Sequence, residues 1–549
     1  MWRVSNPKDM VKVYHEAMKR AQALSSTQLC ANIIGNMKPP TKITSFWHNQ
    51  SVNTRLWFCL IASGLIYLAF TLAFPLARHY ATIPPVDYAK LTRYSAFGFI
   101  AYVVGILALF AFYTLFLKLA TGEKNSIRFI FGGGILFAFT LAFSYPQTAI
   151  DMFVYAIQSR GWALYDLMPL SVSPSDWPSS DPWLGLAGEW IDTASPYGPV
   201  WEWLSLGTYH LSGGEYLAHL FVLKVLGVLA YIGSVWLLYR ILLLIRPRWA
   251  LAGAAFFAWN PLVLLESAQN AHNDITMMLL LLLAVWAFIK LLLGGETKRS
   301  AAYSIFFVAA FTAAILIKFI PLLILPFFLL AVAARKIKWS RQILSFVIYG
   351  LVSLLLIFLA MYPYWPGLDQ WAVLYSGKSA GRSVMALLIL ALRAKVGTNA
   401  AFDYAQGIIY AILGGIYLWN LWRVWQQTAR NKDCKNASDA ETIIARVFLS
   451  SFYVLFWYVL IGVSTFHAWY LLWFLPFAAL LIPKTRPMRA GLVFSMASLL
   501  IIPYYETIRV WVPALLHNHL LGHIIGVSLL VIPVLLTLRV TAQKNLISF

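Results

Sequence analysis

Long apolar runs dominate the chain, and polar residues gather in the shorter segments between them. A helix needs about 20 mainly apolar residues to cross the hydrocarbon core of a bilayer. The pattern therefore predicts an all-α polytopic membrane protein with about fourteen transmembrane helices. The predicted spans lie near 56–77, 97–117, 128–145, 217–239, 249–266, 275–293, 301–317, 319–334, 341–362, 404–425, 446–464, 468–483, 490–505 and 520–538.

Two segments, 301–334 and the N-terminal tail, do not fit the pattern of a single upright span. The stretch 301–334 is too long for one upright span, and Lys318 and Pro321 interrupt it, so we expect two helices that meet at the outer face. In the N-terminal tail, apolar residues recur at helical spacing over 9–24. This spacing is typical of a helix on the inner leaflet, and a loosely ordered tail is an equally good interpretation.

These predictions divide the chain into four parts. They are a cytoplasmic N-terminal tail with a candidate amphipathic helix (1–55), N-terminal transmembrane helices (56–145), an outer loop with short interfacial helices (146–216), and a transmembrane core (217–549).

The composition agrees with a membrane protein. Hydrophobic residues make up 60% of the chain and charged residues 11%, whereas soluble proteins carry about 25% charged residues. This balance excludes an ordinary cytosolic enzyme and a disordered chain.

The net charge of +21 has a simple explanation in the predicted topology. With the N-terminus inside, 31 of the 42 basic residues fall on inner segments, 10 on outer segments, and Lys224 lies within a span. This asymmetry follows the positive-inside rule and requires no nucleic acid partner. It predicts a multi-pass protein of the plasma membrane with both termini in the cytoplasm.

The acidic residues show the opposite bias, because 14 of the 21 fall on outer segments. Carboxylates concentrated at one membrane face suggest chemistry there. Avoidance of acids near the anionic inner leaflet is an equally good explanation when this bias is taken alone.

Asp151 follows a predicted span directly, at the membrane–water boundary. A carboxylate so close to hydrocarbon is costly, so it is usually functional. It is a candidate general base that takes a proton from an acceptor hydroxyl. The alternative is a boundary or capping acid for a short helix over 152–164.

Further along this loop, the Pro and Gly residues of 195–199 predict a turn. This turn would hold Tyr197 in a fixed position, so Tyr197 is a candidate substrate-binding residue.

Residues 260–274 join two predicted spans and carry a dense polar group. Glu266 ends one span, while His272, Asn273 and Asp274 precede the next. Asp274 could simply cap the helix 275–293. A cap does not need His272 or Glu266 as well, and imidazole with carboxylate suits proton handling or substrate orientation.

Basic and aromatic residues supply candidates for binding a phosphate. Lys318 lies at the predicted outer junction, where a cation suits an anionic lipid headgroup, although snorkelling to the interface also explains it. Lys378 and Arg382 lie in a loop of small residues that could wrap a phosphate. His467 is the polar tip of an aromatic hairpin.

No metal or other cofactor is expected. The three cysteines are far apart, which argues against a thiol metal site or a disulfide framework. His517, His519 and His523 have metal-like spacing, but a neutral interfacial loop is the better interpretation of that segment.

Taken in order, these segments resemble a known family. They are AIDMFVYAIQSRGWALYD around Asp151, SPYGPVWEWLS at 195–205, NPLVLLESAQNAHNDITMMLLLL at 260–282, the Lys318–Pro321 pair, and HAWYLLWFLPF at 467–477. The set resembles the polyprenol-phosphate-mannose-dependent α-mannosyltransferases of the GT-C class, and above all those that elongate lipomannan by α-1,6 linkage. The resemblance covers roughly residues 130–480.

The resemblance implies a GT-C-like fold and a metal-independent, inverting transfer on the outer face. The donor would be a polyprenyl-phosphate sugar, with mannose expected, and the acceptor a glycan or glycolipid hydroxyl. Asp151 matches the first-loop acid of the family, which acts as the base, and Glu266, His272 and Asp274 match its second polar motif. Here the first-loop acid follows the third span rather than the first, so two extra spans precede the shared core.

Two other functions share some of these features. A lipid-linked sugar flippase or transporter would carry charges near the bilayer midplane, whereas most acids here map to one edge. A polysaccharide polymerase or ligase would use similar donors, but its main catalytic loop would lie nearer the C-terminus. The sequence therefore favours a glycosyltransferase.

Overall fold

The computed structural model describes residues 50–82, 85–120, 126–294, 299–333, 339–364, 379–430 and 437–539. Regular structure in these ranges is helical, apart from two isolated β-bridges. The principal helices are α1 (Val52–Ala73), α2 (Ala96–Ala120), α3 (Ser126–Ala142), α4 (Asp151–Tyr165), α5 (Pro199–Leu211), α6 (Tyr216–Ile245), α7 (Pro247–Ala258), α8 (Pro261–Gln269), α9 (Asp274–Leu293), α10 (Ser300–Ile315), α11 (Leu325–Ala333), α12 (Trp339–Met361), α13 (Val384–Val396), α14 (Thr398–Arg430), α15 (Ala437–Trp457), α16 (Leu475–Leu480), α17 (Thr485–Pro503) and α18 (His519–Arg539).

The prediction of an all-α polytopic membrane protein is confirmed. Within the described ranges, nine helices are long and apolar enough to cross a bilayer, or ten if the bent pair α7 and α8 counts as one span. The other predicted spans also fall on helices, but those are shorter: α3, α10, α11 and the segment Ala468–Leu480. The candidate tail helix at 9–24 lies outside the described residues.

Residues Cys59–Phe549 form one compact unit, and α9 lies at its centre. The most apolar 18-residue window of α9 is 72% buried, against 11% for α12. Because α9 is apolar on all sides, it can pack on α6 and α10 at once. α12, by contrast, leaves most of its apolar side chains exposed, as expected for a helix that faces lipid.

Two interruptions of the helices occur within this unit. The predicted span 249–266 is in fact a pair of helices, α7 and α8, that meet at an angle of 58°. Asn260 begins α8 by accepting a hydrogen bond from Leu262 N–H, with Pro261 in the first helical position. α8 ends in a π turn and is followed by Ala271, whose φ of +54° is rare for a residue other than glycine. The second interruption falls at residues 316–319, where the sequence predicted a junction at Lys318.

The broken helix α8 is held from behind by α6. A Cβ on Gly227 would lie 2.5 Å from the carbonyl oxygen of Ser267, so only glycine allows this approach. Lys224, buried within α6, donates a hydrogen bond to the carbonyl of Gln269 at the end of α8. This basic residue within a span therefore supports the backbone that carries the next polar segment.

The first loop, residues 146–216, contains the short helices predicted for it. α4 packs against α5 and against the 3-10 turns Pro174–Asp176 and Leu184–Trp190, and Trp183 directly precedes the second turn. Arg160 on α4 pairs with Asp181 at 2.9 Å and lies over the ring of Trp183. The loop is thus a packed structure that can hold side chains in fixed positions.

Candidate active site

Asp151 is the first residue of α4, and its side chain is half-buried. The hydroxyl of Tyr197 donates a hydrogen bond of 2.8 Å to Oδ1 of Asp151. The hydroxyl of Tyr155 lies 3.5 Å from that of Tyr197. Burial and the nearby charge of Asp151 raise the pKa of both tyrosines far above the usual range, so both remain protonated. Asp151 therefore has an oriented neutral donor beside it.

Tyr197 is fixed by the turn that the sequence predicted. Gly198 N–H donates to the carbonyl of Ile317 at 2.9 Å, and Val200 N–H donates to that of Leu316 at 3.0 Å. A Cβ on Gly198 would lie 2.0 Å from the carbonyl oxygen of Leu316, so no other residue fits there. These contacts attach the first loop to the break that precedes Lys318.

Glu202, on the first turn of α5, supports the same turn. Its carboxyl group is buried and accepts a hydrogen bond of 2.5 Å from the hydroxyl of Ser195. Burial raises its pKa to about 7, although the bond from Ser195 opposes this shift. Nothing in the sequence pattern distinguishes Glu202 from the other acids of the loop.

Lys318 and Asp274 form an ion pair. The ammonium group of Lys318 lies 3.0 Å from each carboxylate oxygen of Asp274. Nε1 of Trp473 donates to Oδ1 of Asp274 at 2.5 Å. The helix-cap alternative for Asp274 is wrong, because α9 begins with Asp274 itself and Asn273 is its N-cap residue.

Aromatic rings surround the ammonium of Lys318. Its Nζ atom lies 5.3 Å from the ring centroid of Tyr197, 5.8 Å from that of Tyr470 and 5.7 Å from that of Trp473. Each distance is within the range of a cation–π interaction. Asp274 engages two of the three donors of an ammonium group, and no described residue accepts the third. Lys318 is thus held in place with one N–H still available.

The end of α8 and the residues that lead to α9, together 266–273, are called the α8–α9 turn. This turn places four polar side chains in the interior. They are Glu266, Asn270, His272 and Asn273, all essentially unexposed. Nδ2 of Asn270 donates to Oε2 of Glu266 at 2.7 Å, and Nε2 of His272 lies 3.3 Å from the same oxygen. Burial lowers the pKa of His272, but Glu266 and the charges of Asp151 and Asp274 outweigh burial and raise the pKa above its ordinary value.

Several polar atoms of this turn have no partner among the described residues. They are Oε1 of Glu266, Oδ1 of Asn270, Nδ1 of His272, and both side-chain polar atoms of Asn273. An unsatisfied buried polar atom costs about 1–3 kcal/mol. So many in one turn indicate that water or the hydroxyls of a ligand complete the site.

His467 joins this turn through a stack of rings. Its ring centroid lies 4.2 Å from that of Trp469, and Trp469 stacks on His272 at 4.0 Å. Burial, together with the positive charges of Arg382, His272 and Lys318, lowers the pKa of His467 well below its ordinary value. The surroundings therefore act on the two histidines in opposite directions, because they lower the pKa of His467 and raise that of His272.

Arg382 lies beside the same hairpin. Gly381 N–H donates to the carbonyl of Ser464 at 3.1 Å, and Phe466 N–H donates to that of Gly381 at 2.9 Å. Arg382 has a φ of +56°, and its guanidinium pairs with Glu506. Such backbone conformations persist where the surroundings enforce them. Lys378, the other phosphate candidate of this loop, lies outside the described residues.

The structure thus brings Asp151, Tyr197, Asp274 and Lys318 into one line of contacts. Glu266, His272, Asn273 and His467 adjoin this line, and Arg382 lies close enough for its charge to act on His467. Sequence reasoning gave no role to Tyr155, Asn270, Tyr470 and Trp473, although all four lie in the segments that carried the family resemblance. The sequence indicates only that these four residues lie near the candidates in the chain, and this does not reveal which side chains point into the site.

A comparison with known protein families gives a match over much of this region. The model described as alpha-(1->6)-mannopyranosyltransferase, N-terminal domain, matches residues 56–334, which is 279 of the 549 residues. The match contains Asp151, Tyr197, the α8–α9 turn and Lys318, but not Arg382 or His467. It also begins before residue 130, so the two spans expected to precede the shared core lie inside the matched region. No curated protein matches the chain.

Proposed function

We propose that this chain, which belongs to the alpha-(1->6)-mannopyranosyltransferase family, takes mannose from a polyprenyl-phosphate donor and transfers it to a hydroxyl of a glycan or glycolipid. One observation carries the proposal. A carboxylate, Asp151, and a cation, Lys318, contact the same tyrosine side chain although they are far apart in sequence. Transfer from a phosphate leaving group to a hydroxyl needs a base and a cationic group in this proximity.

The donor phosphate binds at Lys318 in this proposal. The third N–H of its ammonium donates to a phosphate oxygen, while Asp274 and the three rings keep the group oriented. The ion pair has no net charge, so stabilisation of the departing phosphate comes from a directed hydrogen bond to a charged donor. Arg382 is less available, because Glu506 already engages its guanidinium.

The acceptor hydroxyl approaches Asp151. As its oxygen forms a bond to the anomeric carbon, the bond from that carbon to the phosphate oxygen breaks. The hydroxyl proton passes to Asp151, and the polyprenyl phosphate leaves with the bonding electron pair. Direct displacement with a single base inverts the anomeric configuration. The hydrogen bond from Tyr197 keeps one carboxylate oxygen oriented and leaves the other for the acceptor.

The buried turn between α8 and α9 recognises the sugar or the water that surrounds it. Its unpaired amide, imidazole and carboxylate atoms include both donors and acceptors, as neighbouring sugar hydroxyls require. Glu266 lies beside His272 in this turn, and this proximity raises the pKa of the imidazole.

The proposed function includes an orientation of the helical bundle in the membrane. The residues of the site share one end of the bundle, which we call the site end, and the basic side chains Arg246, Arg446 and Lys484 share the other, which we call the basic end. By the positive-inside rule, the basic end faces the cytoplasm and the site end the exterior of a plasma membrane. The four-part division proposed from the sequence then puts the catalytic acid in the first outer loop.

The test is to supply the purified full-length protein, in lipid nanodiscs, with labelled mannose on a polyprenyl phosphate or on a nucleoside diphosphate. We expect acceptor-dependent transfer and release of polyprenyl phosphate with the lipid donor only. Exclusive use of the nucleotide donor would contradict the proposal. In proteoliposomes, movement of the intact lipid donor between leaflets without cleavage would instead indicate the flippase.

A further inference from the structure

A cleft of about 760 Å³ runs between α14 and α15, and none of its lining residues belongs to the candidate active site. One of its residues, Arg446, is 16 residues before Gly462, which ends the π turn that continues α15. At 1.5 Å per helical residue this is about 24 Å along the axis. Because the chain then leads directly to His467 at the site end, Arg446 lies at the basic end, and the cleft extends from there along α15 to Trp457.

Two arginines, Arg423 and Arg446, line the cleft. Neither Arg423 nor Arg446 has a carboxylate within salt-bridge distance among the described residues. The two guanidinium groups are close enough to repel each other, and Arg446 also lies near Lys484. Cations that are partly removed from water and lack a counter-ion produce a site for an anion.

The walls of the cleft are apolar and aromatic. Trp419, Tyr453 and Trp457 contribute rings, and the guanidinium of Arg423 lies 5.6 Å from the ring centroid of Trp419. Trp419 is 54% exposed, so the cleft opens on the side of α14 that would contact lipid. Arg423 is seven residues before the end of α14, about 10 Å along its axis, which is a depth suited to a lipid headgroup.

We infer that this cleft binds an anionic phospholipid of the surrounding bilayer. Its phosphodiester lies between Arg423 and Arg446, and its acyl chains lie along the aromatic wall. Charge complementarity requires the anion, and the apolar wall that opens to the bilayer distinguishes a lipid from free phosphate. The orientation proposed above assigns it to the cytoplasmic leaflet, but the chemistry of the site does not depend on that assignment.

The bound lipid joins α14 to α15, the helix that leads into the His467 segment. Occupancy of the cleft therefore stabilises the fold without supplying any group to the transfer reaction. This role is independent of the proposed function, because neither arginine is near Asp151 or Lys318 in the chain or in its described contacts.

The test uses the full-length protein in nanodiscs made of phosphatidylcholine alone or with added phosphatidylglycerol. We expect phosphatidylglycerol to raise the unfolding midpoint and to remain bound in native mass spectrometry. The double variant Arg423→Gln/Arg446→Gln should unfold at the same temperature as the wild type in phosphatidylcholine alone. It should bind phosphatidylglycerol at least about tenfold more weakly, since one charge-assisted contact alone contributes that much.

The matched control is Arg248→Gln, which removes an exposed arginine from α7 at the same end. It should retain the full effect of phosphatidylglycerol, and inorganic phosphate should give none. The inference is wrong if the double variant keeps the full stabilisation, if Arg248→Gln loses as much, or if inorganic phosphate reproduces the effect.

Discussion

The two ends of the helical bundle use basic side chains in contrasting ways. At the site end, Lys318 and Arg382 are paired with Asp274 and Glu506. At the basic end, Arg423 and Arg446 line a cleft without such partners among the described residues. A cation that is paired with a carboxylate has a fixed orientation, and the pair has little net charge. A cation in a cleft without such a partner attracts an anion that fits the cleft. The first arrangement suits directed chemistry, and the second suits the binding of a charged lipid.

The largest effect is expected from Gly198→Ala, which disturbs the site end and leaves the basic end unchanged. The added Cβ would overlap the carbonyl oxygen of Leu316 and separate the first loop from the break at Lys318. We expect loss of mannosyl transfer and a destabilisation at or above the usual overpacking cost of about 3 kcal/mol. Activity and thermal unfolding measure this, and the stabilisation by phosphatidylglycerol should persist. Wild-type activity would show that the loop is not attached as described.

The contrast between paired and unpaired cations is tested by Lys318→Gln against Arg446→Gln. The first variant leaves the buried carboxylate of Asp274 uncompensated, which costs about 3 kcal/mol or more. The second leaves no carboxylate of the described residues without its partner and should cost less than about 1 kcal/mol. Chemical denaturation in detergent micelles compares the two. If both variants lose the same stability, the distinction between the ends fails.

A double variant and the KM values provide two further tests of the role of Lys318. The double variant Lys318→Gln/Asp274→Asn removes both charges and should recover part of the lost stability. In both variants the KM for the lipid donor should rise more than that for the acceptor. A larger effect on the acceptor would place the phosphate elsewhere.

A pH dependence is expected from Glu202 at the site end. Its pKa of about 7 in the folded protein exceeds the ordinary value of 4.5, so the folded state binds the proton more tightly. The contribution of Glu202 to the free energy of unfolding is therefore fully present below pH 4.5 and is lost as the pH rises through 7, by about 3 kcal/mol in total. Glu202→Gln should flatten this dependence in thermal unfolding between pH 5 and 8. Glu215→Gln, at an exposed position, is the control and should leave it unchanged.

The smallest effect is expected from Gly207→Ala, which is also the control for Gly198→Ala. A Cβ at Gly207 meets no atom within 4 Å, and the residue lies inside α5. Alanine favours a helix over glycine by up to about 1 kcal/mol, so the variant should be slightly more stable and fully active. A loss of activity would mean that α5 tolerates no change. The loss of activity in Gly198→Ala could then not be assigned to the overlap with Leu316.

Local patterns in the sequence predicted the helices, the break at Lys318 and the gathering of polar residues at one face. Each depends on apolar periodicity or on the cost of charge in a membrane, which neighbouring residues reveal. The pairing of Arg382 with Glu506 was not predictable in this way, because 124 residues separate them and only the packing of α13, α17 and α18 brings them together. The same applies to Gly198 and Leu316. The bend between α7 and α8 was missed because both pieces are apolar.

The role of Asp151 as the base is tested by measuring mannosyl transfer by Asp151→Asn with the polyprenyl-phosphate mannose donor. Asp166→Asn is the matched control, because Asp166 ends the same helix with a φ of +55°, a conformation that asparagine adopts readily. We expect Asp151→Asn to fold and bind donor but to transfer mannose about 10²–10⁴ times more slowly than the wild type, while Asp166→Asn stays active. Undiminished transfer by Asp151→Asn would show that Asp151 is not the base.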